Sequence, residues 1–426
     1  MIRQSLDDWL AYISAQHPAT IALGLDRVRD VAARMSPSPL GEGRGEGPVC
    51  ITIGGTNGKG STCAILERIL IEAGYRTGCY TSPHLLRYNE RVRLSGEDAS
   101  DEALVASFEK VEAARGNTQL TYFEFGTLAA LDTFAHAKVE AAILEVGLGG
   151  RLDAVNIVDA DVAAVVSVDL DHQAFLGNDR ESIGFEKAGI YRGGRPAIFG
   201  DLDPPDRLVQ HAQAIGAELL LLARDFGFEV QERQWDFLGR KGAKRALPLP
   251  ALQGSWQLKN ASVALACLDE VADRLPISLG EVKRGLTLVR LPGRMQVLPG
   301  RPSVVLDVAH NPHAARSLAA GLGSMAFAER THAVFAMLGD KDIGGVVDAM
   351  KGRVDRWYVA APQADRAASA ARLEEVLAER GLSKSTRAFA TVDSALDTAR
   401  REAGPNDRII VFGSFYTVAE ALRSVR

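Results

Sequence analysis

The sequence predicts an α/β protein of two domains, the first and larger built on a mostly parallel sheet with helices on both faces. Three observations predict it. Apolar strand-like runs at 49–54, 141–146, 162–168, 303–308, 332–337, 354–360 and 408–413 alternate with helix-period segments such as 60–73, 123–137, 256–273 and 392–403, the pattern of parallel sheets covered on both sides. The chain has 426 residues, more than one hydrophobic core ordinarily spans. Near Leu291-Pro292-Gly293 the helical pattern breaks, and a fresh strand–helix alternation follows. The boundary is therefore placed near 290, giving domains 1–290 and 291–426.

Taken in order, the first helix is expected at 26–35. The stretch PSPLGEGRGEG (37–47) is rich in Gly, Pro and charge without an apolar period, and reads as a surface loop ahead of the first core strand. That strand runs into GGTNGKGST and then an amphipathic segment. Between 225 and 250, FGFEV and QWDFLG read as short strands of an antiparallel flap on the first domain. No internal repeat of solenoid length is visible.

Composition narrows the function classes. Hydrophobic residues make up 46%, charged residues 24%, and the net charge is −5, as in a globular protein without the basic excess of a nucleic-acid binder. The four cysteines, Cys50, Cys63, Cys79 and Cys267, form no C-x-x-C pair and read as core thiols of a reducing compartment. MIRQSLDDWLAYI carries acids where a signal peptide would be apolar, and no run approaches the length of a membrane span. A cytoplasmic protein is expected.

Residues 54–62, GGTNGKGST, follow the strand 49–54. Glycines let backbone N–H groups converge, a helix N-terminus adds positive potential, and Lys59 adds a full charge. The spacing departs twice from the common phosphate loop: Ile53 stands where its first glycine belongs, and Gly60 replaces the metal-binding hydroxyl. Metal ligands must then come from elsewhere. Ser82, Glu145 and His172 each lie just beyond an apolar strand, where parallel sheets place their sites, and Mg²⁺ needs only one or two side chains besides phosphate oxygens and water. Taken singly, each also fits a Ser-Pro turn, a capped carboxylate or a loop histidine.

GTNGKGS, SPHL, TYFEFGTLAAL, EVGLGGRLDA, DLDH, EKAGI, LPGR, DVAHNP and VFGSFYTVAE occur in the order found in folylpolyglutamate synthases, and the chain resembles that family, relatives of the Mur ligases, over nearly its whole length. PSPLGEGRGEG departs from the pattern as a local insertion. The resemblance implies a P-loop ATPase-type first domain and a smaller Rossmann-like α/β second domain bearing the glutamate-ligase function. It implies an ATP- and Mg²⁺-dependent ligase that phosphorylates a substrate carboxylate and lets an amine attack the acyl phosphate. The substrates implied are dihydropteroate, reduced folates and L-glutamate. A monomer is implied too, with two metal sites, a monovalent cation among the expected ligands, and neither nucleic acid nor membrane as partner.

Residue by residue, Thr56, Asn57, Gly58, Lys59, Gly60 and Ser61 match the ATP-binding turn. Ser82, Glu145 and His172 match the magnesium ligands. Lys187 in FEKAGI matches a lysine carried as a carbamate; the residues around it suggest only a surface helix lysine. Asn260, Arg294 and Asp307 match ATP-contacting positions, grouped here as a contribution of the second domain from across a cleft. His310 and Arg294 join Lys59 and Lys187 as the expected catalytic set. DVAHNP also fits a helix N-cap, Asn311 followed by Pro312. Ile21-Ala22-Leu23, Thr121-Tyr122-Phe123-Glu124 and Leu152-Asp153-Ala154 match dihydropteroate-contacting segments. There Phe123 is expected to stack on the pterin, and Glu124 or Asp153 to meet its N–H donors. Ala22 stands where an acidic residue is expected, and an ordinary amphipathic helix accounts equally for Phe123-Glu124-Phe125. The alternatives are a monofunctional folylpolyglutamate synthase, a Mur-type ligase of a nucleotide sugar, and an NTP-binding switch.

Overall fold

The computed structural model describes residues 5–17, 19, 21–35 and 47–424. The chain divides into two compact units, Met1–Ala251 with Leu258–Val289, and Leu252–Gln257 with Arg290–Arg426. Most of the expected loop 37–47 lies outside the described residues.

The first unit is built on eight strands, β1 (Val49–Gly54), β2 (Thr77–Tyr80), β3 (Val92–Leu94), β4 (Glu97–Asp98), β5 (Ala141–Glu145), β6 (Val162–Val165), β7 (Pro196–Phe199) and β8 (Glu218–Leu221). Their order is β4-β3-β2-β5-β1-β6-β7-β8. Neighbours from β2 to β8 pair in parallel, and β3 and β4 close one edge antiparallel. β1 lies between β5 and β6. The chain thus leaves the carboxyl ends of β1, β2, β5 and β6 in divergent directions and opens a crevice there. The apolar, β-branched run Val49-Cys50-Ile51-Thr52-Ile53 suits a strand with both faces covered.

Two helices show how local sequence places the site. Lys59–Glu72 follows β1 and is buried along most of its length; a second helix, Leu279–Leu288, crosses it so closely that a Cβ on Gly285 would lie 2.4 Å from Ile69 Cγ1. Tyr122–Ala137 starts at a capping box, the Thr121 hydroxyl accepting from the Glu124 N–H and the Glu124 carboxylate accepting from the Thr121 N–H. Its Phe125 enters a core with Trp9 and Phe108. Trp9 belongs to a helix, Leu6–Ser14, that precedes the helix expected to be first. Acids in MIRQSLDDWLAYI there serve the cap, since Asp8 and Ser5 form another capping box.

The pieces at 225–250 form an antiparallel sheet of β9 (Gly227–Val230), β10 (Gln234–Gly239) and β11 (Gly242–Pro248), ordered β11-β10-β9. In the second unit, β12 (Gln296–Leu298), β13 (Ser303–Asp307), β14 (Thr331–Phe335), β15 (Arg356–Val359), β16 (Thr386–Ala388) and β17 (Arg408–Phe412) are ordered β12-β13-β17-β14-β15-β16. Only β12 runs antiparallel. Phe335, Trp357 and Phe412 anchor the core on this sheet, with the Phe335 and Phe412 rings 4.9 Å apart. No described helix is long and apolar enough to cross a membrane.

Candidate active site

The glycine loop is fastened to the loop after β6. Thr56 N–H donates to Ser167 O at 2.8 Å, and its hydroxyl bonds the Asp169 backbone, donating to the carbonyl and accepting from the N–H. Asn57 N–H donates to Ser167 Oγ, which donates back to Asn57 O. The amides of Thr56 and Asn57 are thus engaged inside the protein. Gly58, at φ 89°, turns the chain into the helix. The first intrahelical bond runs from Thr62 N–H to Gly58 O, so Lys59, Gly60 and Ser61 begin the helix with amides that the helix itself cannot satisfy. These three amides, not the two before them, are the ones the helix start leaves unbonded within the helix. Lys59 Nζ folds back to donate to Gly55 O at 3.1 Å and Thr56 O at 3.3 Å.

Asn260 sits against this loop: a Cβ on Gly58 would lie 2.5 Å from its Oδ1. It is buried and belongs to the first unit, not to the second domain with which the sequence grouped it. The reason is the helix Gln257–Glu270, whose residues from Leu258 onward pack with the first unit.

Lys187 departs furthest from the sequence reading. It lies in the last turn of Arg180–Ala188, yet it is only 4% exposed and has no hydrogen-bond or ion-pair partner among the described residues. Burial, followed by the nearby Lys59 charge, pushes its pKa down to about 7, against weaker pulls from Asp171 and Asp153. The turn GLGGR brings it there: a Cβ on Gly150 would lie 2.7 Å from Lys187 O, so only glycine allows that approach. Asp153 caps the turn Ala154–Ile157 by accepting from Val155 N–H, and it also accepts from Leu148 N–H at 2.8 Å. Burial raises its pKa to about 7 although those amides oppose the shift.

Among the metal candidates, Ser82 and Glu145 adjoin, with Ser82 N–H donating to Glu145 Oε2 at 3.3 Å. Glu145 is buried at the end of β5. His172 takes φ 51° ahead of the short helix Gln173–Leu176, and its side chain is half-exposed. No group of three His, Cys, Asp or Glu side chains capable of holding a metal occurs among the described residues. A set of serine hydroxyl, carboxylate and imidazole completed by phosphate oxygens suits a cation that keeps part of its shell from ligand and water.

Beside these residues a cavity of about 230 Å³ opens. It is lined by Ile21, Ala22, Leu23, Thr121, Phe123, Glu124, Leu152, Asp153 and Ala154, and by Ser82 and His172. Phe123 lies over Gly147, where a Cβ would fall 2.6 Å from its Cζ, and its ring centroid is 5.8 Å from that of Tyr80. Tyr122 does not line the cavity; it packs edge-on to Tyr88 and under the Arg91 guanidinium. Glu124 is bound to Arg27 Nη2 at 2.9 Å, and that nitrogen also donates to Ala22 O. The carboxylate that the sequence offered to a ligand therefore helps hold the 21–27 segment, with Arg27 meeting it where the residue at 22 is not acidic.

In the second unit, β13 and β17 are adjacent, with Asp307 opposite Phe412, so the segments following them meet. His310 and Phe415 rings are 6.2 Å apart, and the Arg294 guanidinium lies 5.0 Å from the Phe415 ring centroid. Asp307 accepts from Met295 N–H and Ala309 N–H, both at 2.8 Å. Burial raises its pKa against the pull of Arg294 and those amides. Asn311 caps Pro312–Ser324 by accepting from Ala314 N–H, with Pro312 in the first turn.

Known proteins resolve what this geometry belongs to. Residues 53–268 match the Mur ligase middle domain and residues 293–415 the Mur ligase glutamate ligase domain. A dihydrofolate synthase/folylpolyglutamate synthase of Escherichia coli K12 is 45% identical over 423 residues, covering 99% of this chain and 95% of the relative. The chain belongs to the dihydrofolate synthase/folylpolyglutamate synthase family. A structure of the Escherichia coli enzyme in complex with DHPP and ADP superposes with a TM-score of 0.93 at 44% identity, covering 99% of this chain and 98% of that one. A bifunctional family member with Mn, AMPPNP and L-glutamate bound gives 0.90 at 45% identity, with 99% and 98% covered.

Seen as a member of this family, the chain has site residues that sequence reasoning passed over. Gly24, Pro83, Arg91, Gly147 and Leu148 also line the cavity. Gly147 and Leu148 lie within the quoted EVGLGGRLDA, and Arg91 nine residues past Ser82, so proximity to motifs already singled out was the available signal. His84 accepts from Arg91 Nε at 2.9 Å through Nδ1. Burial, then Arg91, lowers its pKa to about 4 against the opposing charge of Glu90, keeping it neutral.

Proposed function

We propose that this chain is an ATP-dependent amide ligase that joins L-glutamate to dihydropteroate and then adds further glutamates to reduced folates. The observation that carries the reading is a cavity whose wall combines Phe123 and Asp153, suited to a flat ring with N–H donors, with Ser82 and His172. A bound acid there has its carboxylate near the residues assigned to metal and phosphate. The carboxylate oxygen attacks the γ-phosphorus, ADP departs, and the glutamate amine adds to the acyl phosphate. The tetrahedral species then collapses to amide and phosphate.

Lys59 and the amides of Lys59, Gly60 and Ser61 take the phosphates and hold them in line, which is most of what phosphoryl transfer asks of a protein. Ser82, Glu145 and His172 would hold a divalent cation, whose charge offsets that of the phosphates. Lys187, with its lowered pKa of about 7, has a substantial neutral fraction near that pH to add CO₂; as a carbamate it would supply an anionic oxygen for a second cation. Asn260, Arg294 and Asp307 are assigned to ATP, Arg294 and His310 to the charge on the transferred group. The protein acts as a cytoplasmic monomer on small molecules, residues 1–290 carrying the ATP and pterin functions and 291–426 the glutamate-ligase function.

A coupled assay of ADP release tests the reading. ADP should appear only with both a pteroate-type acid and glutamate, and both dihydropteroate and tetrahydrofolate should serve. Full-rate phosphate release without glutamate would make the protein an ATPase. Turnover of tetrahydrofolate but not dihydropteroate would favour a monofunctional folylpolyglutamate synthase.

A further inference from the structure

We propose that Arg91 reads the oxygen-bearing edge of the pterin ring, making it a specificity-determining residue of the cavity. The inference rests on the function proposed above and deepens it.

Arg91 lines the cavity and is held there from three sides. Its Nε donates to His84 Nδ1 at 2.9 Å. Its guanidinium lies 5.5 Å from the Tyr88 ring centroid and 5.4 Å from that of Tyr122. The loop carrying these groups is itself fixed, because the Glu90 carboxylate accepts from the N–H groups of Leu85, Leu86 and Arg87. With Nε bonded and aromatic rings beside it, the guanidinium has little freedom left.

Its outer nitrogens are a different matter. No carboxylate lies within ion-pair distance of Arg91 among the described residues, and neither Nη donates a hydrogen bond within them. Other arginines of this region contrast with it. Arg27 is paired with Glu124 at 2.9 Å and Arg93 with Glu67 at 2.7 Å. A half-buried guanidinium with four N–H donors still available, lining a mostly apolar wall, calls for an acceptor brought by the ligand.

The chemistry of the acceptor follows from the neighbours. Both Arg91 and Asp153 act on the Tyr80 phenol, and the Tyr80 ring neighbours that of Phe123. Arg91 thus belongs to the aromatic part of the cavity, with Asp153 and the stacking ring. A 2-amino-4-oxopterin offers N–H donors along one edge and the C4 oxygen with a ring nitrogen as acceptors along another. Asp153, an acceptor, matches the first edge; Arg91, a donor only, matches the second. A cation and an acid set around one ring select the oxo form over a 4-amino ring, whose extra N–H groups would face the guanidinium with a donor.

The test compares binding of dihydropteroate and its 4-amino-4-deoxy counterpart to the full chain, with turnover in parallel. Wild type should prefer the oxo ligand. Arg91→Met should weaken oxo binding by about 10- to 100-fold, the range of a charge-assisted hydrogen bond, with little change for the amino ligand, so that the preference collapses. The KM for ATP and kcat at saturating acid should hold. Arg91→Lys, which keeps charge without the planar fork, should fall between, and it carries the same comparison if Arg91→Met does not fold. An oxo preference unchanged in the variants would overturn the assignment. So would a fall in kcat with affinity intact, which would place the guanidinium on the reacting carboxylate. Wild type that turns over dihydropteroate without any oxo preference overturns the Arg91 assignment alone; wild type inert towards dihydropteroate overturns the parent reading with it.

Discussion

At the carboxyl ends of the first unit's strands, two lysines and a buried aspartate lie close together with few side-chain partners. Among the described residues Lys59 reaches only backbone carbonyls and Lys187 is buried without a hydrogen bond or ion pair, and the pKa values of Lys187 and Asp153 both move to about 7. In the second unit the corresponding strand ends gather Arg294, Asp307, His310 and Phe415, and these groups are held by their own surroundings. Asp307 is tied to two backbone amides, Arg294 lies on an aromatic ring, and His310 Nδ1 bonds Val308 O. The difference teaches where ligand chemistry is pending. A buried charge costs several kcal/mol unless compensated, so the first unit carries an electrostatic demand that an anion, a cation or CO₂ can meet. The second has already used much of its polar capacity to shape a turn.

That comparison can be broken most directly at Lys187. Lys187→Met should lower turnover by roughly 100-fold or more, the scale of losing a transition-state charge contact, without loss of folded structure. Wild type stripped of CO₂ should lose activity in the same direction and regain it with bicarbonate. Intact mass measured under both conditions checks whether an added CO₂ tracks the rate; activity indifferent to CO₂ would remove the carbamate from the account.

A smaller effect is expected at Gly58. A Cβ there meets Asn260 Oδ1 at 2.5 Å with φ at 89°, so Gly58→Ala should cost about 1–3 kcal/mol of stability from strain and overpacking. Urea unfolding would measure this. Val166 Cγ1 would lie 2.8 Å from the same Cβ, so adding Asn260→Ala should recover only the part due to Asn260, leaving the parts due to Val166 and to backbone conformation. Full recovery would show that neither of these carries a cost.

Asp153 gives an effect of another kind, seen in pH dependence. Its folded pKa, raised to about 7 from an ordinary carboxyl value of 3.8, means the native state holds a proton that the unfolded chain has released. Stability from this group is fully present below the ordinary value and is lost as pH rises through about 7. Asp153→Asn keeps an oxygen to cap Val155 N–H and should flatten the decline in melting temperature between pH 4 and 7. An unchanged slope would mean that the carboxyl is ionised across that range.

How much was legible beforehand differs from element to element. The strand after which GGTNGKG turns was plain because period, length and β-branched content agree. The helix Leu6–Ser14 is hidden in the sequence because its acids read as surface charge, whereas Asp8 closes a capping box with Ser5. Tyr122 and Phe123 are adjacent in sequence, but successive helix positions point about 100° apart, so only Phe123 reaches the cavity. Arg91 offers only its nearness to Ser82 as a sequence signal, because its setting between the Tyr88 and Tyr122 rings is made by the fold.

The sequence by itself determined the alternation of strands and helices, the phosphate loop and the family, because these are written in local periods and contiguous motifs. Only the tertiary structure decided which polar groups are already satisfied. Thr56 and Asn57 amides go to Ser167, Glu124 goes to Arg27, and Asp307 goes to two amides, whereas Lys187 and the outer nitrogens of Arg91 have no hydrogen-bond or ion-pair partner among the described residues. The physical reason is that satisfaction and burial are properties of three-dimensional neighbours. A lysine in FEKAGI is solvated or buried according to whether glycines more than thirty residues upstream let its helix approach, and no local pattern records that distance.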